Sequence, residues 1–260
     1  MRATALLLDL DNTLVPEFAN YAAAFVAACG DAIRARGLDP AGVRDAVFGA
    51  AGERWLESPV AEYCLRVGIG SPTSLLSDFP GPGAELAILR DWAPKYRRAS
   101  WHQGLRAANV PDADVLAAPL SDAFRHSFRE HCPPYVDVAP ALQKLAPKYG
   151  LGVATNGPAD VQRIKLTVSG VRRFFRVVVA STDVGAGKPD RRIFDVAVAQ
   201  LGVGPSDVLV VGDSLEKDVA GAAAAGLRCV WVNRTGAAGD PDHRPDAEIR
   251  TLAELPALLD

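Results

Sequence analysis

Cysteine is scarce and scattered in this chain of 260 residues. Its four cysteines, Cys29, Cys64, Cys132 and Cys229, lie far apart and form no Cys-x-x-Cys pair. A zinc site or a disulfide framework would need closer grouping or a secretory context. We therefore expect four reduced thiols in a cytoplasmic protein.

Long apolar runs are also missing. No stretch approaches the roughly 20 apolar residues that a membrane-spanning helix requires. Asp9 and Asp11 end the apolar run of residues 3–8 before it could serve as the core of a signal peptide. The sequence therefore predicts a protein without a membrane partner.

Neither sign of charge dominates the composition. Lys and Arg number 28 against 31 Asp and Glu, and the net charge is −3 at pH 7. The basic residues are not gathered into one block, so a nucleic-acid partner is not expected. Without internal repeats or low-complexity tracts, the sequence is typical of a globular protein with one large domain or two smaller ones.

Short apolar segments alternate with helical periodicity from residue 135 onward. The predicted strands span residues 151–155, 177–181, 208–211 and 229–232, and the predicted helices span 160–168, 191–201 and 216–225. Residues 5–8 have the same strand character. Near-continuous apolar strands that alternate with helices indicate a parallel sheet covered on both faces. We therefore predict an α/β core built from residues 1–15 and 135–260.

Residues 16–134 are helical in character throughout. The predicted helices span residues 17–36, 45–56, 83–99 and 114–131, with Gly and Pro between them. Loop signals mark both boundaries, with Pro16 on one side and Cys-Pro-Pro at 132–134 on the other. The simplest arrangement is a helical insert that leaves the α/β core after its first strand and then returns to it.

The segment Asp-Leu-Asp-Asn-Thr-Leu at residues 9–14 directly follows the first predicted strand. Ligands of open α/β sheets bind at the carboxyl ends of the strands. Asp9 and Asp11 can project into one crevice there, where one acts as a nucleophile and the other handles protons. An Asp-Asn turn that caps a helix explains this segment alone about equally well.

Two further strand ends carry polar motifs. In Ala-Thr-Asn-Gly at 154–157, the Thr155 hydroxyl and the backbone N–H groups suit a phosphoryl oxygen, although a helix N-cap is the simpler interpretation. In Gly-Asp-Ser-Leu-Glu-Lys-Asp at 212–218, Asp213 is the kind of hard oxygen donor that Mg²⁺ prefers, and a helix cap is again the alternative.

Lys188 precedes Pro189 and could deliver a point charge into the same crevice, although a lone surface lysine is the commoner case. The preceding Gly-Ala-Gly suggests a P-loop, but Thr182 stands where that motif has its first Gly, and Pro189 where it has the Ser or Thr metal ligand. All four motifs lie at or just after predicted strand ends of one sheet. Carboxylates gathered there about 4 Å apart would repel by roughly 4 kcal/mol per pair, so the cluster favours a divalent cation.

In order and context, these motifs resemble the haloacid dehalogenase superfamily of phosphotransferases, and the resemblance covers the whole chain. It implies a Rossmann-like parallel core with residues 16–134 as a helical cap of the first type. It also implies a Mg²⁺-dependent phosphatase that hydrolyses a small phosphorylated metabolite, of the phosphosugar or nucleoside monophosphate class, as a monomer or homodimer. The form of residues 9–14 is most similar to N-acylneuraminate-9-phosphatase-like and pyrimidine-nucleotidase-like members.

The resemblance implies the roles of the two acids in the first motif. Asp9 would be the nucleophile that forms an aspartyl-phosphate. Asp11 would protonate the leaving alcohol and then activate the hydrolytic water. The superfamily's dehalogenases lack the second acid and its phosphonatases replace it with a small residue, so Asp11 disfavours both chemistries. A phosphomutase and, less favoured, a non-catalytic binding module on the same fold remain as alternatives.

The resemblance also implies the phosphate and metal ligands. Thr155 and the backbone of Asn156 would bind phosphoryl oxygens, and Lys188 would neutralise charge between nucleophile and phosphate. Mg²⁺ would be held by Asp9, by the main-chain carbonyl of Asp11 and by Asp213. Asp218 would contact the ligands of the ion rather than the ion itself.

Residues 95–102 of the insert, Lys-Tyr-Arg-Arg-Ala-Ser-Trp-His, place cations beside aromatic side chains. Arg97, Arg98 and His102 could hold an anionic or sugar-like leaving group. A solvated helix face with Trp101 packed inward explains the same pattern without a ligand.

Overall fold

Apolar segments of three to six residues form a parallel sheet in the computed structural model, which describes residues 3–259. The strands are β1 (Ala5–Leu8), β2 (Gly150–Thr155), β3 (Val177–Ala180), β4 (Val208–Gly212), β5 (Arg228–Val232) and β6 (Ala247–Ile249). Neighbouring strands pair in parallel in the order β3-β2-β1-β4-β5-β6. The predicted α/β class with a parallel, Rossmann-like core is therefore confirmed.

The order of the strands determines where a ligand can bind. From β1 the chain moves outward through β2 and β3, and it then crosses to the other side of β1 to form β4, β5 and β6. The direction of winding therefore reverses between β1 and β4. Open α/β sheets bind ligands at such a switch point, outside the carboxyl ends of the strands. Asp9 follows β1, and Asp213 follows β4 at this point.

The chain divides into two compact units, one with the described residues up to Pro16 and from Pro133 onward, the other spanning Glu17–Cys132. The second unit is the helical insert. Its helices are α1 (Glu17–Arg34), α2 (Pro40–Trp55), α3 (Ala61–Arg66), α4 (Ala84–Ala107) and α5 (Ala113–Glu130).

The interior of the helical insert is aromatic. Phe25 of α1 stacks on Trp101 of α4 with ring centroids 5.5 Å apart, and Phe124 of α5 packs against both rings. Trp101 is fully buried, as the solvated-face interpretation of its helix expected. Helix α2 begins five residues before its predicted start, because the Asp39 carboxylate caps the N–H groups of Ala41 and Gly42.

Helices flank the sheet in the first unit. They are α6 (Val138–Leu145), α7 (Ala159–Val168), α8 (Ser181–Val184), α9 (Arg191–Leu201), α10 (Ala220–Ala224) and α11 (Leu255–Leu259). Strands β1 and β4 are buried along their whole length, which matches their near-continuous apolar sequences. No helix within residues 3–259 is long and apolar enough to cross a membrane.

The segment after β4 departs from its predicted form. A single helix was expected over residues 216–225, but Leu215–Val219 form a π-helical turn before α10 begins. The Asp218 carboxylate accepts a hydrogen bond from the Ser214 N–H at 3.1 Å and turns inward, away from solvent. π-Turns of this kind are frequent at functional sites.

Candidate active site

Asp9 lies at the carboxyl end of β1, where its N–H donates to the carbonyl of Val211 at 2.8 Å and continues the pairing with β4. Its side chain is buried, and so is that of Lys188. The Lys188 ammonium donates to Asp9 Oδ1 at 2.5 Å and to Asp218 Oδ1 at 2.7 Å. Residues that are 179 positions apart in the sequence thus form one buried ionic cluster.

Asp213 completes an acidic cluster beside this lysine. Asp9, Asp213 and Asp218 each offer a carboxylate oxygen, and these atoms lie within 4.8 Å of one another. The Trp231 indole N–H donates to the main-chain oxygen of Asp213 at 2.7 Å, and the Thr13 hydroxyl donates to its carboxylate at 3.3 Å. Asp213 is therefore held in place from two sides.

The donor set fits a divalent cation such as Mg²⁺. All three side chains offer hard oxygen ligands. The three ionised carboxylates and the Lys188 ammonium together carry a net charge of −2, which one divalent ion would balance. Both carboxylate oxygens of Asp218 already accept hydrogen bonds, Oδ1 from Lys188 and Oδ2 from the Ser214 N–H. Asp9 and Asp213 are therefore the better direct ligands of the ion.

Burial and like charges shift the acidity of this cluster. Burial raises the pKa of Asp9 well above its usual range, and Asp218 and Asp213 add to the effect while Lys188 opposes it. Burial, with Asp218 next, raises the pKa of Asp213 to about 6. Burial opposes the charged form of Lys188, but Asp218 and Asp9 outweigh it and raise the pKa of the lysine. A bound cation would favour the ionised carboxylates.

Thr155 and Asn156 end the neighbouring strand β2. The Thr155 hydroxyl is buried and lies 2.6 Å from Gln162 Nε2. The Asn156 side chain contacts the backbone of Lys188 twice, donating to its carbonyl at 2.9 Å and accepting from its N–H at 2.7 Å. The resemblance implied only a backbone role for Asn156, whereas the structure shows that its amide also fixes the lysine.

Asp11 has partners that the sequence analysis missed. Lys165 Nζ lies 2.6 Å from Asp11 Oδ1, and Gln162 Nε2 lies 2.8 Å from Asp11 Oδ2. Both residues belong to α7 and both are fully buried. A signal was present, because Gln162 and Lys165 fall among the buried apolar residues Val161 and Leu166 of this helix. Buried polar side chains on the apolar face of a helix need hydrogen-bond partners elsewhere in the protein.

Two local features shape the loops of the site. Asn12 has φ of 61°, the left-handed conformation that Asn tolerates, and the chain turns there and brings Thr13 toward Asp213. The helix that follows, α1, begins only at Glu17. A Cβ at Gly212 would lie 2.2 Å from Asp218 Cγ. Only glycine at the end of β4 therefore leaves room for the inward turn of Asp218.

The three candidate substrate contacts of the insert lie on α4, within the second unit. Arg97 donates to the carbonyl of Ser77 at 2.6 Å and pairs with Asp78, so its guanidinium is engaged. Arg98 and His102 line a groove of about 550 Å³ together with Arg54, and His102 bonds Asp114. All the residues that line this groove belong to the helical insert.

Comparison with known proteins agrees with the motifs. The chain is 34% identical to the phosphoserine phosphatase of Thermus thermophilus over 96% of each protein. It is 34% identical to the pyrimidine 5'-nucleotidase YjjG of Escherichia coli over 56% of this chain and 65% of the relative. It is 33% identical to the N-acylneuraminate-9-phosphatase of Rattus norvegicus over 63% of this chain and 67% of the relative. Both kinds of member suggested by the sequence are thus among its relatives.

A solved structure extends the likeness to the whole chain. The 2-haloacid dehalogenase from Pseudomonas syringae superposes with a TM-score of 0.62 at 28% identity, over 99% of this chain and 98% of that protein. The sequence profile of the haloacid dehalogenase-like hydrolases matches residues 3–226, which is most of the chain. The protein is therefore a hydrolase that belongs to the haloacid dehalogenase-like family.

Proposed function

We propose that this protein is a Mg²⁺-dependent phosphatase that hydrolyses a small phosphomonoester through a phosphorylated Asp9. The observation that carries the proposal is the Lys188 ammonium against the Asp9 carboxylate, with Asp213 beside them at the switch point of the sheet. Hydrolases of this family include enzymes of more than one chemistry, since the chain resembles both phosphatases and a dehalogenase. The second acid, Asp11, favours the phosphate ester.

Asp9 is the nucleophile in this scheme. One of its carboxylate oxygens attacks phosphorus, the bond from phosphorus to the alcohol oxygen breaks, and the phosphoryl group is transferred to the carboxylate. Lys188 lies against the attacking carboxylate and neutralises negative charge as the phosphate approaches. The Thr155 hydroxyl and the Asn156 N–H, at the end of β2, offer donors for the phosphoryl oxygens.

Asp11 transfers the protons. It gives one to the departing alcohol oxygen, and it then accepts one from the water that attacks the phosphorylated Asp9. The water oxygen bonds to phosphorus, the bond from phosphorus to the Asp9 carboxylate oxygen breaks, and phosphate leaves with both acids in their starting states. Asp9, Asp213 and the main-chain carbonyl of Asp11 would hold Mg²⁺, which when bound supplies positive charge for the phosphoryl oxygens.

The substrate belongs to the phosphosugar or nucleoside monophosphate class in our sequence-based prediction, and the relatives add phosphoserine as a candidate. We further propose a cytoplasmic enzyme that acts as a monomer or homodimer. The four cysteines are all buried and form no disulfide, which supports a reducing compartment.

A substitution of the nucleophile tests the proposal. Wild-type protein and Asp9→Asn would be assayed with Mg²⁺ for phosphate release from para-nitrophenyl phosphate, phosphoserine, N-acylneuraminate 9-phosphate and pyrimidine nucleoside monophosphates. We expect Asp9→Asn to lose more than about 10³-fold in rate and to keep a cooperative thermal transition. The exposed Asp31→Asn is the matched control and should behave as wild type.

Two results would count against this function. Turnover of Asp9→Asn at the wild-type rate would exclude Asp9 as the nucleophile. Conversion of one sugar phosphate into another without net release of phosphate would identify the alternative phosphomutase.

A further inference from the structure

Among the described residues of the α/β core, Lys165 is the most deeply buried cation that the four sequence motifs do not include. Its side chain is 1% exposed, and it reaches Asp11 Oδ1 from the second turn of α7. An ammonium taken out of water costs several kcal/mol unless it is paired and hydrogen-bonded. An apolar side chain of similar length would fill the same position on this apolar helix face at less cost. The position of Lys165 therefore calls for an explanation beyond packing.

Gln162, one turn earlier on α7, connects the same acid to the proposed phosphate-binding strand end. Its Nε2 atom lies 2.8 Å from Asp11 Oδ2, 2.6 Å from Thr155 Oγ1 and 3.0 Å from the main-chain oxygen of Asn156. The carboxylate of Asp11 is thus contacted on one oxygen by Lys165 and on the other by Gln162. A planar group contacted at both oxygens from one helix has a defined orientation.

Asp11 itself sits on a loop and remains 17% exposed. Without contacts to α7, its side chain would rotate between staggered conformations. Proton transfer needs the donor and acceptor atoms within hydrogen-bond reach and aligned. Lost alignment of this kind lowers the rate even when the chemical groups are all present.

We propose that Lys165 is a positioning residue, which holds the Asp11 carboxylate in the orientation for proton transfer, with Gln162 as a second contact. The inference rests on the proposed function, in which Asp11 is the acid and base. Lys165 acts only through Asp11 in this scheme and makes no contact with the phosphoryl group.

The first test is Lys165→Met, which removes the ammonium and keeps much of the volume. With an alkyl phosphate substrate we expect kcat to fall by about 10- to 100-fold, less than the loss of the acid itself, while KM changes less than about twofold. The phosphorylation step with para-nitrophenyl phosphate, measured in a single turnover, should be nearly unchanged because its leaving group needs no proton. Lys144→Met, at an exposed position on α6, is the matched control.

A double-mutant cycle separates positioning from a general structural effect. If Lys165 acts only through Asp11, adding Lys165→Met to Asp11→Asn should cause no further loss in kcat. The double variant also removes both charges of the pair, so no carboxylate is left without its cation if Lys165→Met alone folds poorly. Losses that multiply in the double variant would overturn the inference, as would wild-type kcat for Lys165→Met on the alkyl phosphate.

These results are distinguishable from a failure of the proposed function. Activity retained in Asp9→Asn would remove the phosphorylated-aspartate scheme, whatever Lys165 does. An inactive Asp9→Asn beside a fully active Lys165→Met would leave that scheme standing and remove only the positioning role.

Discussion

At the scale of single residues, Asp9 and Asp11 are two positions apart in the sequence and have different surroundings. Asp9 is buried against Lys188. Burial raises the pKa of Asp9, Lys188 opposes the shift, and the nearby Asp218 and Asp213 add to it. Asp11 is partly exposed and contacts Lys165. Paired acids placed in unlike environments are typical of sites where one attacks and the other moves protons.

The division of labour predicts how Asp11→Asn behaves. General acid–base catalysis typically contributes about 10²- to 10⁴-fold in rate, and we expect a loss of this size with alkyl phosphates. The loss should be smaller in the phosphorylation step with para-nitrophenyl phosphate, because nitrophenolate leaves without a proton. Single-turnover kinetics on both substrates would measure the difference. Equal losses on the two substrates would mean that Asp11 only helps to position the metal.

At the scale of secondary structure elements, helices α2 and α4 of the insert approach each other unusually closely at Gly104. A Cβ there would lie 2.3 Å from Val47 Cα and 2.7 Å from Val47 N, both backbone atoms that cannot move aside alone. Gly104 therefore sets the distance between these two helices, and substitution would force them apart.

We expect Gly104→Ala to destabilise the insert by about 1–3 kcal/mol, the usual cost of overpacking. Gly49→Ala on α2 is the control, because a Cβ at Gly49 meets nothing within 4 Å and alanine favours a helix over glycine by about 1 kcal/mol. Denaturant unfolding of both variants would give the two free energies of unfolding. A Gly104→Ala variant as stable as Gly49→Ala would contradict this account of the helix contact.

At the scale of the whole molecule, we expect a metal ion bound by the acidic cluster to stabilise the folded protein. A ligand that binds only the folded state stabilises it in proportion to the logarithm of its concentration over Kd. We expect Mg²⁺ to raise the Tm of the wild type, and Asp213→Asn to lose most of that shift. Asp207→Asn, an exposed position just before β4, serves as the control.

The rate of phosphate release should depend on the same ion. EDTA should abolish phosphate release, Mg²⁺ should restore it, and Ca²⁺ should substitute poorly because it takes more ligands at longer distances. Full activity of the protein after EDTA treatment and removal of metal would contradict the Mg²⁺ site.

Local residue patterns were enough to predict the parallel sheet and to place the main polar motifs along it. The segments of β1, β2, β3, β4 and β5 are short and mostly apolar, and a polar residue (Asp, Asn or Ser) directly follows each, so their local pattern was enough to predict them. Strand β6 escaped prediction because it is three residues long and carries Glu248 at its centre. Asp9, Asp11, Thr155 and Asp213 could be chosen because each lies at the end of a predicted strand or just after it, and Lys188 because it lies in the loop after the next strand.

Which polar side chains contact one another depends on the folded arrangement of distant segments. Lys165 and Asp11 are 154 positions apart, and α7 has no local property that identifies its partner. The pairing of β1 with β2 brings the two together, since α7 starts just after β2 and Asp11 follows β1. The hydrogen bonds of the Asn156 amide to the Lys188 backbone and the π-helical turn at Asp218 likewise depend on which segments lie next to each other. Such contacts depend on the order of the strands in the sheet. The residue pattern of one segment does not show which segments will lie beside it in space.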